Sequence, residues 1–263
     1  MNKSNESLRI TLIQSPLVWE NVDANLQHFD QVLSSLQNPT DLIVLPEMFN
    51  TGFTMNAAQV AEKMGGKTHL WLQKKAKELQ AVITGSIVIE EDGQYFNRLI
   101  WMMSNGDFHT YDKRHLFRMA KEHETYTAGN QRLIIQYKGW NICPLVCYDL
   151  RFPVWSRNVG NEYDLLIYVA NWPKVRNYVW SGLLQARAME NLAYVAGVNR
   201  VGEDAKDFAY SGDSTLVDFA GKPIWASSEQ QGMYTHELSK TDLEQFRSRF
   251  PAWMDADKFD IIR

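Results

Sequence analysis

Cysteine is scarce: Cys143 and Cys147 are the only two in 263 residues. So few exclude a disulfide framework, and on one extended strand their offset would hold them roughly 13 Å apart, too far to bridge. Positive charge is also short. Lys and Arg number 27 against 31 Asp and Glu, a formal net charge of −4, so the basic field that drives nucleic-acid binding has no source. No run approaches the ~18 apolar residues of a membrane span, and the opening MNKSNESLRITLIQ lacks the apolar segment of a secretory signal. The expectation is a cytoplasmic protein with free thiols and no nucleic-acid or membrane partner.

Several motifs are missing as well. Without G-x-S-x-G there is no serine nucleophile elbow. Without G-x-G-x-x-G or a P-loop the usual phosphate cradles are gone. No repeat, low-complexity segment or Pro/Gly-rich linker divides the chain, so one domain over residues 1–263 is expected. In its last part, from about residue 240, FPAWMDADKFDIIR mixes Trp253, Phe259 and isoleucines with charges; packing on the core and docking on a partner subunit both stay open.

What is present is the making of a large core: 45% hydrophobic and 12% aromatic residues. Apolar, β-rich runs recur as LRITLIQ, DLIVLP, VITGSIVIE, RLIWMMS, RLIIQYK, ICPLVCY, DLLIYVAN, AYVAGVN and STLVDF. Several are near-continuous, as strands covered on both faces would be. Val22, Leu26, Phe29, Leu33 and Leu36 recur at helical spacing, predicting a helix over about 20–36. Further helices are predicted over 57–79 and 178–191, the latter with Val179, Leu183, Ala186 and Glu190 on one face. Asn105-Gly106 suits the positive φ angles of a hairpin turn. Strands alternating with helices and interspersed hairpins predict an α/β class with mixed sheets.

Three reactive residues directly follow apolar strands: Glu47 in DLIVLPEMF, Lys113 in FHTYDKRHLF and Cys147 in PLVCYDLRFP. Strand ends are where an α/β scaffold gathers site residues. Each has a bland counterpart: a solvated carboxylate, a salt-bridged surface turn around Asp112, Arg114 and His115, a buried core thiol. Together they supply a nucleophile, a proton-transferring carboxylate and an oxyanion cation, the parts needed for amide hydrolysis by a thiol. A helix starting near Asp149 would set its dipole beside Cys147 and favour thiolate. The rival reading, metal held by Cys143, Cys147 and His109, His115 or His123, lacks the usual C-x-x-C spacing, and Pro144 suits a strand start better.

The blocks LPEMFNTGF, YDKRHLF, CYDLRFP, VANWP, QARAMENLAYVAGVNRVG and YSGDSTLVDFAG, in this order over about residues 8–240, resemble those of the nitrilase superfamily, the carbon-nitrogen hydrolases. The resemblance implies an αββα sandwich that forms homodimers, with Glu47 as general base, Lys113 as oxyanion cation and Cys147 as nucleophile, and no metal or cofactor. The Tyr148 N–H would be a second oxyanion donor. A further supporting glutamate is implied upstream of Tyr126 and Gly129; Glu122 fits the common spacing better than Glu124. The stretches KRHLFRMAKEHETY and CYDLRFPVWSRN are most similar to the ω-amidase branch, acting on 2-oxoglutaramate and related α-keto acid monoamides with water; an N-carbamoyl amidohydrolase or an aliphatic amidase is the alternative. A substrate carboxylate needs a cation, for which Arg118, Arg151, Lys174 and Arg176 are candidates. Arg151 could instead pair with a carboxylate to brace its loop, the reading preferred here. Phe117, Tyr148 and Trp172 could wall the pocket.

Overall fold

The structure is a computed structural model that describes residues 7–261. Its strands are β1 (Ser7–Gln14), β2 (Leu42–Val44), β3 (Val82–Glu91), β4 (Gln94–Met102), β5 (Phe108–Asp112), β6 (Ile135–Tyr137), β7 (Trp140–Val146), β8 (Leu165–Ala170), β9 (Tyr194–Asn199), β10 (Val201–Glu203), β11 (Ala209–Val217), β12 (Pro223–Ser228) and β13 (Gly232–Ser239). The helices are α1 (Val22–Ser34), α2 (Ala57–Val60), α3 (Lys67–Leu79), α4 (Glu122–Thr125), α5 (Pro153–Ser156), α6 (Asn177–Asn191) and α7 (Lys240–Arg249).

Two mixed sheets face each other. One runs β13-β1-β2-β3-β4-β5, the other β10-β11-β9-β8-β7-β6 with β12 on β11. In the first, β1, β2 and β3 are parallel and the rest antiparallel; in the second, β7, β8 and β9 are parallel. The period-2 alternation of strand side chains sorts the first sheet's residues between two cores. Leu8, Ile10, Leu12, Leu42, Val44, Leu99 and Trp101 pack toward the second sheet. Ile13, Ile43, Ile83, Ile100 and Met102 pack with Leu26, Phe29 and Leu33 of α1 and Leu72 and Ala76 of α3. With α6 packed on the second sheet through Trp180, Leu184 and Ala188, the layers read αββα, as the resemblance implies.

Several local expectations shift. The predicted 57–79 helix is two, α2 and α3: the chain turns extended at Ala61, Glu62 bridges to Ile89, and the turn through Gly65 (φ +82°) and the extended N-cap Gly66 then starts α3. On α6 the buried face is Trp180, Leu184, Arg187, Ala188 and Asn191, one step round from the predicted Val179, Leu183, Ala186 and Glu190. The bulk of Trp180 and its Nε1–H, donated to the Asp213 carbonyl at 2.9 Å, orient the helix. At the β4–β5 hairpin only Gly106 has positive φ, +93°; Asn105 contributes its side chain, accepting from Asp107 N at 3.0 Å. The 240 region packs on the second sheet, with Leu243 in the core and Arg247 donating to Asp164, to the Leu192 carbonyl and to the Tyr163 carbonyl. Beyond Ala256 the described residues are exposed, and Ile262 and Arg263 lie outside them.

Candidate active site

The parallel strands deliver their successors to one rim. Glu47 follows β2, Cys147 follows β7 and Asn171 follows β8, while Lys113 follows β5. Glu47, Lys113, Cys147 and Asn171 line a single cavity of about 220 Å³. All four are buried, and residues distant in sequence thus meet.

Each side chain is held by more than one partner. Glu47 Oε1 accepts from Lys113 Nζ at 2.9 Å and Asn97 Nδ2 at 2.8 Å, and Oε2 accepts from Asn171 N at 2.8 Å. Asn171 Nδ2 also donates to the Glu47 carbonyl at 2.5 Å. Glu122 grips the same ammonium, with Oε1 at 2.9 Å and Oε2 at 3.0 Å, and accepts from Phe117 N at 2.6 Å. Glu124 stands outside, exposed and paired with Lys121 at 3.6 Å.

At the reacting groups themselves, two residues are in strained backbone conformations. Met48, after Glu47, has φ +43° and Cys147 has φ +45°. A non-glycine residue in the left-handed region costs about 1 kcal/mol or more and persists only where its surroundings enforce it. For Cys147 the enforcing group is Asp149. Its buried carboxylate accepts from Val146 N at 3.0 Å and Tyr111 OH at 2.7 Å through Oδ2, and from His115 N at 2.9 Å through Oδ1. One carboxylate therefore ties the cysteine turn to the segment just after Lys113.

Electrostatics follow from this geometry. Burial alone would pull the Lys113 ammonium down, but the carboxylates of Glu122 and Glu47 outweigh it and hold its pKa above the ordinary lysine value. Burial raises the Glu122 pKa, against the attraction of Lys113. Burial first, then the charge of Glu47 and a hydrogen bond with it, push the Cys147 thiol well above its ordinary value, and Lys113 only partly opposes this. The expected thiolate is therefore corrected. Instead of an α-helix near Asp149 there is a short 3-10 turn over Cys147–Arg151, and burial together with the neighbouring Glu47 outweighs the pull of Lys113. The thiol stays protonated until a base removes its proton.

The remaining wall is aromatic and cationic. Phe117 and Tyr148 line the cavity with centroids 5.0 Å apart, and Trp172 closes another side. Arg151 does not pair with a carboxylate among the described residues, contrary to the bracing role preferred from sequence. Its guanidinium lies over the Trp172 ring at 5.1 Å and faces the cavity. Arg118 is exposed and off the cavity wall, and Lys174 pairs with Glu229 at 2.5 Å on the surface. Arg176 is on the wall. Sequence reasoning missed Asn97, Asn171 and Asp149 as individuals. The last two lay inside motif blocks, and Asn97 offered only the signal of an asparagine within a strand, where that residue is depleted.

The family model for carbon-nitrogen hydrolases matches residues 9–248. The chain belongs to this family. Among the relatives of this carbon-nitrogen hydrolase, Omega-amidase YafV of Escherichia coli strain K12 is 50% identical over 255 residues, 97% of this chain and 98% of that one. The 2-oxoglutaramate amidase of Bacillus subtilis strain 168 is 27% identical over 253 residues, 95% of this chain and 97% of the relative. The crystal structure of XC1258 from Xanthomonas campestris, a CN-hydrolase superfamily protein with an arsenic adduct in its active site, superposes with a TM-score of 0.95 at 44% identity. It covers 97% of this chain and 99% of that one.

Proposed function

We propose that this carbon-nitrogen hydrolase is an ω-amidase, releasing ammonia from small α-keto acid monoamides such as 2-oxoglutaramate. The observation that carries the reading is the presence of Cys147, Glu47 and Lys113 on one cavity wall together with Arg151, a cation suited to a substrate carboxylate. The 50% identity to an omega-amidase over nearly the whole chain supports it.

Glu47 takes the thiol proton as Sγ attacks the amide carbon, and the oxyanion is received by Lys113 Nζ and the Tyr148 N–H. Glu47 then protonates the departing nitrogen and ammonia leaves a thioester. Water, deprotonated by Glu47, adds to the thioester carbon. The collapse of that adduct expels the thiolate, which recovers its proton, and frees the dicarboxylate. Glu122 holds Lys113 in place, while Phe117, Arg151 and Trp172 bind the substrate.

The reading includes one catalytic domain, with α7 as part of it, and a homodimer in the cytoplasm. Two free thiols suit a reducing compartment, and exposed Val159, Phe250 and Met254 supply apolar surface for a subunit contact. No described helix is long and apolar enough to cross a membrane. The test is ammonia release by wild type and Cys147→Ala over 2-oxoglutaramate, 2-oxosuccinamate, glutamine, a simple nitrile and an N-carbamoyl amino acid. Activity confined to the keto acid amides and lost in Cys147→Ala is expected; preference for the carbamoyl compound, or a tenth of the activity surviving in the variant, overturns the reading.

A further inference from the structure

Two arginines stand on the cavity wall without a carboxylate partner among the described residues. Arg151 lies over Trp172 at 5.1 Å and Arg176 over Phe117 at 5.5 Å. Their supports are joined. Trp172 Nε1 donates to the Arg176 carbonyl at 2.9 Å, so the ring that carries one guanidinium also holds the backbone of the other. Phe117 in turn is fastened through its N–H to Glu122. Stacking on an aromatic face spares a guanidinium's in-plane N–H fork for a ligand.

The other charges on this wall do not compete. Lys113 is taken up by Glu47 and Glu122. Asp204 is occupied within its own loop, accepting from Tyr210 OH at 2.9 Å, Lys206 N at 2.9 Å and Phe208 N at 3.1 Å. Lys206 is exposed. What remains is a pair of unneutralised forks in a cavity of about 220 Å³, otherwise lined largely by aromatic and apolar side chains.

We infer that Arg176 is a specificity-determining residue that acts with Arg151 as a two-armed clamp on the substrate's carboxylate and its adjacent keto oxygen. Resting on the ω-amidase reading, this assigns recognition of the substrate's α-keto acid end to two guanidiniums, with Arg176 as the second. A carboxylate beside a carbonyl offers acceptors in one plane, more than one fork can satisfy and suited to two. Neutral amides of the same length leave both arms unpaired and bind poorly.

The test reads binding separately from turnover. Cys147 is alkylated with iodoacetamide, and protection by glutarate and by 2-oxoglutarate is titrated for wild type, Arg176→Met and Arg176→Lys. Losing one charge-assisted contact raises the half-protecting concentration roughly 10- to 100-fold in Arg176→Met, with Arg176→Lys in between. In parallel, kcat/KM for 2-oxoglutaramate falls by a similar factor in Arg176→Met, carried by KM. Unchanged protection in Arg176→Met overturns the clamp, as does a wild type that neither dicarboxylate protects. Protection that depends on Arg176 in an enzyme inactive on keto acid amides keeps the clamp and overturns the ω-amidase reading instead.

Discussion

Lys113 and Glu122 form a buried pair in which the ammonium lies 2.9 and 3.0 Å from the two carboxylate oxygens, while Glu47 accepts from the same nitrogen at 2.9 Å. One cation serves two acids buried from solvent, so removing Lys113 leaves both of them without a counter-charge. Lys113→Met should lower kcat by roughly 10²- to 10³-fold through the lost oxyanion contact. It should also destabilise the fold by about 3–5 kcal/mol, measured by urea denaturation. Full stability in this variant would show that the ammonium is not needed to hold the two buried acids.

Glu122 and Glu124 sit two residues apart and make opposite predictions. Glu122→Gln keeps the shape but weakens the hold on Lys113, so kcat should fall at least tenfold while KM changes little. Glu124→Gln, at an exposed position, should match wild type in steady-state kinetics. Equal effects would remove Glu122 from the site.

The thiol of Cys147 is kept protonated in part by the charge and hydrogen bond of Glu47, and is drawn the other way by Lys113. Glu47→Gln should therefore abolish turnover yet lower the thiol pKa. Iodoacetamide alkylation near pH 8 should become faster than in wild type even as ammonia release stops. Slower alkylation would mean that Glu47 is needed to ionise the thiol toward every electrophile.

Asp149 couples the cysteine turn to the lysine segment through Val146 N and His115 N. Asp149→Asn puts an amide where both oxygens now accept, leaving at least one donor unpaired. A loss of about 1–3 kcal/mol of stability is expected, together with a drop in kcat that exceeds any rise in KM, because both reacting groups shift relative to a bound substrate. Tyr111→Phe leaves both backbone donors on Asp149 in place but takes the acceptor from Trp155 Nε1 and Arg114 N, so it should cost stability with a smaller drop in kcat in the same assays.

Cys143, buried in the core, is pushed up to about 12 from its ordinary 9.0 by burial. Below about pH 9 the thiol is protonated in both folded and unfolded chains and its contribution is fully present. Between about pH 9 and 12 only the unfolded chain ionises, so stability falls by up to about 1.4 kcal/mol per unit. Denaturation midpoints at pH 8 and pH 10.5 should differ less in Cys143→Ala than in wild type.

Hydropathy and spacing by themselves determined the layered α/β class, helix α1 and the positions after β2, β5 and β7 where reactive residues stand, because strand and helix periodicities are local properties of the chain. The break between α2 and α3 was visible as Gly65-Gly66 but outweighed by the apolar pattern on both sides. Only the tertiary structure decided that the thiol is held neutral, that Asn97, Asn171 and Asp149 brace the site, and that Arg151 and Arg176 face the cavity free of carboxylates. Those properties depend on which groups meet across two sheets and on the charge left uncancelled when they are buried. Distances through space settle both, and neighbouring residues in the chain do not encode them.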